Sequence, residues 1–93
     1  MLPDQLFADP AWDMLLYLVV AEEEGRRSSI SRLCRAAAVP TTTALRWIGV
    51  LESQDLVRRT PHPSDGRIFV VSLTEKGSAD MHGLLATYRL RPA

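Results

Sequence analysis

The sequence has a single cysteine, Cys34, among its 93 residues. One thiol excludes a disulfide within the chain and is typical of proteins from a reducing compartment, so we expect a cytoplasmic location. The longest apolar run, residues 14–21, is far shorter than the ~20 residues that a membrane-spanning helix requires. The start of the chain carries Asp4 and Asp9 and no basic segment, which does not fit a secretion signal.

Residues that could support catalysis or bind a metal are scarce and badly spaced. His62, His82 and the single cysteine do not provide the number or spacing of zinc ligands. The sequence also has no hydrolase nucleophile motif and no glycine-rich phosphate loop. Cys34 fits a small core position better than the role of a thiol sensor. We therefore predict a non-enzymatic protein without a metal or cofactor.

The net charge is zero, but the charges are unevenly distributed along the chain. Residues 26–72 contain eight arginines and three acidic residues, a local charge of +5, and the flanks carry the balancing −5. Attraction to phosphate depends on the local field and the contacts made, not on the molecular total. The basic centre indicates a segment that binds a polyanion, although arginines that only solvate a surface would give the same count.

Four segments have the apolar spacing and the end signals of helices. Asp9 and Pro10 open the first, which runs to about Glu24 and is ended by Gly25. The second and third are predicted at about residues 29–37 and 41–54. Thr74 caps the fourth. The apolar stripe of that last helix comprises Met81, Leu84, Leu85 and Tyr88.

Between the third and fourth helices the composition predicts a β-hairpin. Residues 57–60 and 68–73 have strand composition, and the turn formers of residues 61–67 make a loop between them. The predicted fold is α+β and mainly helical: a winged helix-turn-helix with three N-terminal helices, a two-stranded hairpin wing and a C-terminal helix. We expect residues 1–93 to form a single domain, and this domain could also be one part of a longer polypeptide.

The second and third helices are joined by a short turn at residues 38–40. Val39 is the apolar residue that wedges between the helices, and Pro40 ends one helix and starts the next. The first turns of the third helix then carry Thr41, Thr42, Thr43 and Arg46. Hydroxyl and guanidinium groups contact phosphates and base edges, so these four are candidate contacts with the major groove. Local capping by the threonines is the alternative.

The hairpin adds three more arginines. Arg58 and Arg59 lie on its first strand and are candidate phosphate anchors, and Arg67 lies near its tip. A basic hairpin beside a helix can place the helix in the major groove and an arginine in the minor groove. The predicted partner is therefore double-stranded DNA. A winged-helix module that binds protein instead is the alternative, and internal ion pairs at Arg46 and Arg67 would favour it.

Residues 29–77 contain a series of short motifs in a consistent order: Leu33, the T-T-x-L-R pattern of residues 42–46, Leu51-Glu52, Leu56-Val57-Arg58, Asp65-x-Arg67 and residues 73–77, read L-T-E-K-G. Together they resemble the DNA-binding core of the MarR-type winged-helix transcription regulators. The resemblance implies that Arg67 enters the minor groove and that Asp65 orients it. It also implies that the recognition helix presents Thr41, Thr42, Thr43 and Arg46 to DNA.

The sequence departs from that family in two ways. Only about eight residues precede the first helix, whereas the family has further helices that build a dimer interface and a ligand cleft, so we expect no small-molecule effector. The third helix also carries Leu45, Trp47 and Val50; we assign Trp47 to the core and consider the other two as partner-facing.

The first helix is apolar at every position of residues 11–21 except Asp13, so it needs burial on more than one side. A homodimer through the first and last helices would bury the remainder, which includes Trp12, Leu16 and Val20, and would suit a palindromic DNA site. Burial by the C-terminal helix of the same chain is the alternative.

Overall fold

A computed structural model describes residues 10–90, with side chains for residues 10–87. The helices are α1 (Pro10–Glu23), α2 (Ile30–Ala37), α3 (Thr41–Ser53) and α4 (Glu75–Leu90). The strands are β1 (Ser28–Ser29), β2 (Val57–His62) and β3 (Asp65–Leu73), and they form an antiparallel sheet in the order β1-β3-β2. The predicted winged helix-turn-helix is confirmed. The predicted cap Asp9 lies outside the described residues.

Helix α1 is the centre of the core. Its buried residues are Ala11, Met14, Leu15, Leu18, Val19 and Ala21. The helix packs against α2, α3, α4 and β3, which together cover most of its circumference. An apolar side chain of this size contributes ~1.5–3 kcal/mol when fully buried, so α1 supplies much of the stability. Gly25, with φ +67°, ends the helix as predicted because a left-handed conformation favours glycine.

The sheet has three strands rather than the two that the sequence predicts. Ser28 and Ser29 pair with Val71 and Val70 and so add β1 to the free edge of β3. Serine has no strong preference for strands, and two residues are too short to show alternation. Ser29 also accepts a hydrogen bond from the backbone N–H of Arg32 (3.2 Å) and thereby caps α2.

The predicted loop at residues 61–67 is mostly strand, which corrects the sequence prediction. Strand β2 continues to His62 and β3 starts at Asp65, so only Pro63 and Ser64 separate them. Pro61 pairs with Phe69 and His62 with Asp65, which leaves residues 66–68 of β3 without partners in β2. A bulge accommodates Pro61 and Gly66, and Pro63 lies in the two-residue turn; these residues made the segment resemble a loop.

Thr74 joins the end of the sheet to the start of α4. Its hydroxyl accepts a hydrogen bond from the N–H of Gly77 (2.9 Å), as expected of a cap, and donates one to the carbonyl of Asp55 (2.6 Å). The N–H of Thr74 donates to the carbonyl of Leu56 (3.0 Å). One side chain therefore fixes the α3–β2 turn, in which Asp55 has φ +60°, against the first turn of α4.

The apolar stripe of α4 faces the core. Met81 is buried, and Leu84 and Leu85 are half-buried and pack against the same cluster. The helix contacts α1 and β3. Burial of α1 by the C-terminal helix of the same chain is therefore observed. The side chain of Tyr88, the fourth predicted member of the stripe, lies outside the described residues.

Candidate nucleic-acid interface

The turn of the helix-turn-helix is tight because Ala38 adopts a left-handed conformation (φ 54°, ψ 46°). The N–H of Val39 donates to the carbonyl of Cys34 (3.1 Å), and the Val39 side chain is half-buried against the core between the helices, as predicted. Pro40 is the N-cap of α3, with φ −62° and ψ 156°. This geometry fixes the direction in which α3 leaves the motif.

Helix α3 buries one side and exposes the other. Ala44, Ile48 and Leu51 are buried, and Trp47 is half-buried against the core, as expected. Leu45 and Val50 are exposed. A helix of this kind has one face held by the fold, which leaves the opposite face available for a partner.

The three threonines lie on the first turn of α3 and do not cap it. The N-cap is Pro40, which has no side-chain capping bond. Thr41 and Thr42 are exposed and Thr43 is half-buried. The Thr41 hydroxyl accepts a weak contact from the Cys34 thiol, at 3.9 Å between Sγ and Oγ1. The capping alternative therefore has no support in this geometry, and Thr41 and Thr42 remain exposed on the surface of α3.

Arg46 lies one turn after Thr42 and one turn after Thr43 on the same exposed surface of α3. Among residues 10–87, whose side chains are described, it has neither an ion-pair partner nor a hydrogen-bond partner. An unpaired guanidinium can read guanine bidentately. The hydroxyl groups beside it can contact neighbouring phosphates. Its freedom counts against the alternative in which internal ion pairs occupy both Arg46 and Arg67, of which only Arg67 is paired.

Asp65 and Arg67 form a local, bidentate ion pair in the wing. Oδ1 of Asp65 accepts from Nε of Arg67 (3.1 Å) and from its backbone N–H (3.1 Å), and Oδ2 accepts from Nη2 (3.2 Å). These bonds lower the pKa of Asp65, the Arg67 side chain being the main cause and its backbone N–H the next. Arg67 nevertheless has a 90% exposed side chain. The aspartate thus orients the arginine without burying it, as the family resemblance implies.

The two arginines of β2 have different environments. Arg58 is exposed, whereas Arg59 is half-buried and its Nη2 donates to Oε1 of Glu52 on α3 at 2.6 Å. Arg59 shares a face of the strand with the buried Val57, since side chains alternate. This pair could not be predicted from the sequence, because Glu52 lies on another element. Arg59 is therefore partly engaged in holding β2 against α3.

Arg26 forms a second cluster that the sequence analysis did not single out. Its Nε donates to Glu24 (2.6 Å) and its Nη1 to the hydroxyl of Tyr17 (3.1 Å), and the guanidinium lies 5.4 Å from the centre of the Tyr17 ring. Hydrogen bonding by Arg26 is the main reason that the pKa of Tyr17 lies below its usual value. This cluster ties the end of α1 to the chain that leads into α2.

A family model described as a winged helix DNA-binding domain matches residues 13–77, more than half of the chain. The chain belongs to the winged helix DNA-binding domain family. No curated protein matches the sequence. Within residues 10–90, no helix combines the length and apolarity that crossing a membrane requires. The same described part holds no cluster of His, Cys, Asp and Glu side chains able to bind a metal ion.

Solved structures of transcription regulators superpose on this winged helix domain. A probable transcriptional regulator from Pseudomonas aeruginosa gives a TM-score of 0.70 at 29% identity, over 85% of this chain and 57% of that one. The S. aureus MepR–DNA complex gives 0.78 at 18% identity, over 86% and 63%. The PcaV transcriptional regulator from Streptomyces coelicolor, in complex with its natural ligand, gives 0.65 at 20% identity, over 73% and 45%.

These neighbours confirm the predicted resemblance to MarR-type regulators. The winged helix domain spans less than two thirds of the length of each of the three proteins.

Proposed function

We propose that this winged helix domain is a sequence-specific, double-stranded DNA-binding transcription regulator of the MarR type. Helix α3 enters the major groove and the wing enters the adjacent minor groove. The observation that carries the proposal is that Arg46 on α3 is unpaired among residues 10–87 while Arg67 in the wing has a 90% exposed side chain. Membership of the DNA-binding family and the fold shared with MepR in its DNA complex support it.

The proposed roles follow from the positions of the side chains. Thr41, Thr42, Thr43 and Arg46 read bases and phosphates from α3, and Arg67, held by Asp65, enters the minor groove. Arg58 contacts phosphates because it is exposed on the strand face opposite the core. Arg59 contributes less to anchoring than Arg58, since binding a phosphate would compete with its bond to Glu52.

Selection of bound sequences from a random duplex pool tests the proposal directly. A regulator of this kind should enrich one motif, and the spacing of its half-sites should be about 10 base pairs if two copies bind successive major grooves. Recovery of unenriched sequences, or no retention of any duplex at low salt, would favour the protein-interaction alternative instead.

Separate substitutions should distinguish base reading from phosphate anchoring. Arg46→Ala should relax the base preference, because it removes a side chain that contacts base edges. Arg58→Ala should weaken all duplexes similarly and reduce the slope of log K against log salt by about 1, as loss of one phosphate contact does. Binding titrations on the selected site and on a scrambled site, at several salt concentrations, give both quantities.

Arg59→Ala is the matched control for Arg58→Ala, since the two residues are neighbours on β2. Its salt slope should change less than that of Arg58→Ala, and its main effect should be on stability through the loss of the Glu52 bond. Equal losses on both duplexes for Arg46→Ala would move Arg46 into the phosphate-anchoring group.

We further propose a homodimer in which α1 and α4 contribute to the interface. Most of α1 is already buried within the chain. Three apolar residues at a spacing of four still reach its surface: Trp12 and Leu16 are half-buried, and Val20 is 45% exposed. A second copy would double the phosphate contacts, which a single subunit has in small number.

Val20→Asp should dissociate the proposed dimer and weaken binding to a two-half-site duplex. Val20 suits the test because it is exposed, so the charge does not enter the core as it would at the half-buried Leu16. Light scattering measures the mass, and circular dichroism should report unchanged helicity. A 10.4 kDa species for the unmodified protein at high micromolar concentration would contradict the dimer.

We propose that the domain acts by binding rather than by catalysis. We also propose that it works in the cytoplasm, where it has access to chromosomal DNA. Family membership and the single thiol support these two points. We also propose that it works without a small-molecule effector, in contrast to PcaV, which was solved with its natural ligand. A thermal-shift screen of small organic acids and phenols should leave the melting temperature unchanged.

A further inference from the structure

The distal half of the wing exposes two large apolar side chains next to Arg67. Ile68 is 45% exposed and Phe69 is 43% exposed, whereas the next two residues of β3, Val70 and Val71, are 8% and 2% exposed. Across the hairpin, Phe69 pairs with Pro61, which is also exposed. Adjacent exposed apolar side chains of this size are commonly the mark of a binding surface.

The sheet topology explains why this part of the wing is uncovered. Strand β1 pairs with β3 only at Val70 and Val71, so the third strand ends where the exposed segment begins. From Phe69 towards the tip of the hairpin, β3 pairs with β2 alone. Ile68 lies in the bulge at residues 66–68, which has no partner in β2. The fold therefore leaves Ile68 and Phe69 partly exposed to solvent, and their limited burial contributes little to its stability.

We infer that Ile68 and Phe69 contact the deoxyribose walls of the minor groove beside Arg67. This inference rests on the proposed function and adds an apolar contact to it. Arg67 is adjacent in sequence and its side chain is 90% exposed, so a groove that receives the guanidinium comes close to the next two residues. Side chains alternate along a strand, so Ile68 and Phe69 face the two opposite walls of that groove. The sugar faces provide apolar surface there, and minor-groove proteins often use apolar side chains next to arginine.

A contact with sugars differs from a contact with phosphates in its response to salt. Counterion release requires a cationic side chain, so the loss of an apolar contact lowers affinity without changing the slope of log K against log salt. About half of each side chain is already buried, so the surface that remains to be covered corresponds to roughly a fivefold loss in affinity for each truncation. Arg67→Ala, in contrast, should lower both the affinity and the slope.

The test compares the full chain with Phe69→Ala, Ile68→Ala and the double variant on the selected duplex at several salt concentrations. We expect about a fivefold loss for each single variant, a larger loss for the double variant and an unchanged salt slope. Phe69→Leu should retain most of the affinity because it keeps an apolar side chain. It also serves as the second variant if Phe69→Ala unfolds in thermal melts.

Several results would overturn the inference. Unchanged affinity in the double variant would exclude the contact, and a reduced salt slope would mean that the variants disturb Arg67 instead. A change in mass by light scattering without DNA would assign the surface to a second copy of the chain. If the unmodified protein enriches no duplex, the proposed function fails together with this contact, whereas normal enrichment with insensitive variants rejects the contact alone.

Discussion

An alanine in place of Gly77 is expected to lower the free energy of unfolding by about 2–3 kcal/mol, the upper part of the range for overpacking. A Cβ built on Gly77 would overlap the carbonyl oxygen of Leu56 and lie 2.9 Å from its carbonyl carbon. Both are backbone atoms in a turn that Thr74 holds by hydrogen bonds, so the neighbour cannot rotate away as a flexible side chain would. The overlap between this Cβ and the Leu56 backbone is relieved only if α4 moves away from the α3–β2 turn.

Thermal unfolding followed by circular dichroism measures this effect. A loss of 2–3 kcal/mol should lower the melting temperature by about 10–20 °C in a domain of this size. The matched control is Gly83→Ala on the same helix, where a Cβ would meet nothing within 4 Å. That change should stabilise the protein by about 0.5–1 kcal/mol, since alanine is the better helix former. Equal melting temperatures for the two variants would mean that α4 is not held closely against Leu56.

The sequence predicts those parts of the fold that depend on local signals. The apolar spacing of Ala44, Ile48 and Leu51 identified the buried face of α3, and all three are buried. Thr74 was predicted as a cap from its place before a helical stretch, and its hydroxyl accepts the N–H of Gly77. The hydrogen-bonding and steric rules behind these predictions act over three or four residues, so the sequence order is enough to apply them.

Features that depend on distant residues were not predicted. Strand β1 exists only because β3 offers an edge to Ser28 and Ser29, and no local pattern marks it. The bond between Arg59 and Glu52 likewise requires β2 to lie beside α3, which the sequence order does not reveal. The wing was predicted with too long a loop, because Pro61 and Gly66 are loop formers by composition but are accommodated here at a bulge.

The candidate site, too, was predicted where local signals suffice and missed where distant residues decide. The sequence identified the arginines and threonines by type, and the family resemblance linked Asp65 to Arg67, which the structure pairs through three hydrogen bonds. The exposure of individual side chains, in contrast, could not be predicted from residue types or from the family resemblance. Ile68 and Phe69 have ordinary strand composition and would be assigned to the core of most hairpins, yet β1 is too short to cover them. Only the sheet topology makes them candidates for a DNA contact.

Replacing Arg67 with alanine is expected to weaken binding to the selected duplex by about 1–3 kcal/mol, or roughly 5- to 150-fold. The guanidinium combines a charge with a shape that fits a narrow minor groove, where the electrostatic potential is most negative. The fold should be retained, because the side chain is 90% exposed and, among the described side chains of residues 10–87, bonds only to Asp65 two residues away. Fluorescence titration at fixed salt measures the loss, and thermal melting verifies that the variant is folded.

Asp65→Asn separates the orientation of Arg67 from its presence. The variant keeps the guanidinium but replaces the carboxylate that accepts from Nε and Nη2. Because an exposed ion pair contributes little to binding or stability, we expect a smaller loss than for Arg67→Ala, of up to about fivefold. The order of affinities should therefore be the unmodified protein, then Asp65→Asn, then Arg67→Ala. An Arg67→Ala variant that binds as tightly as the unmodified protein would remove the wing from the DNA interface, since no other arginine and no lysine lies between Pro61 and Phe69.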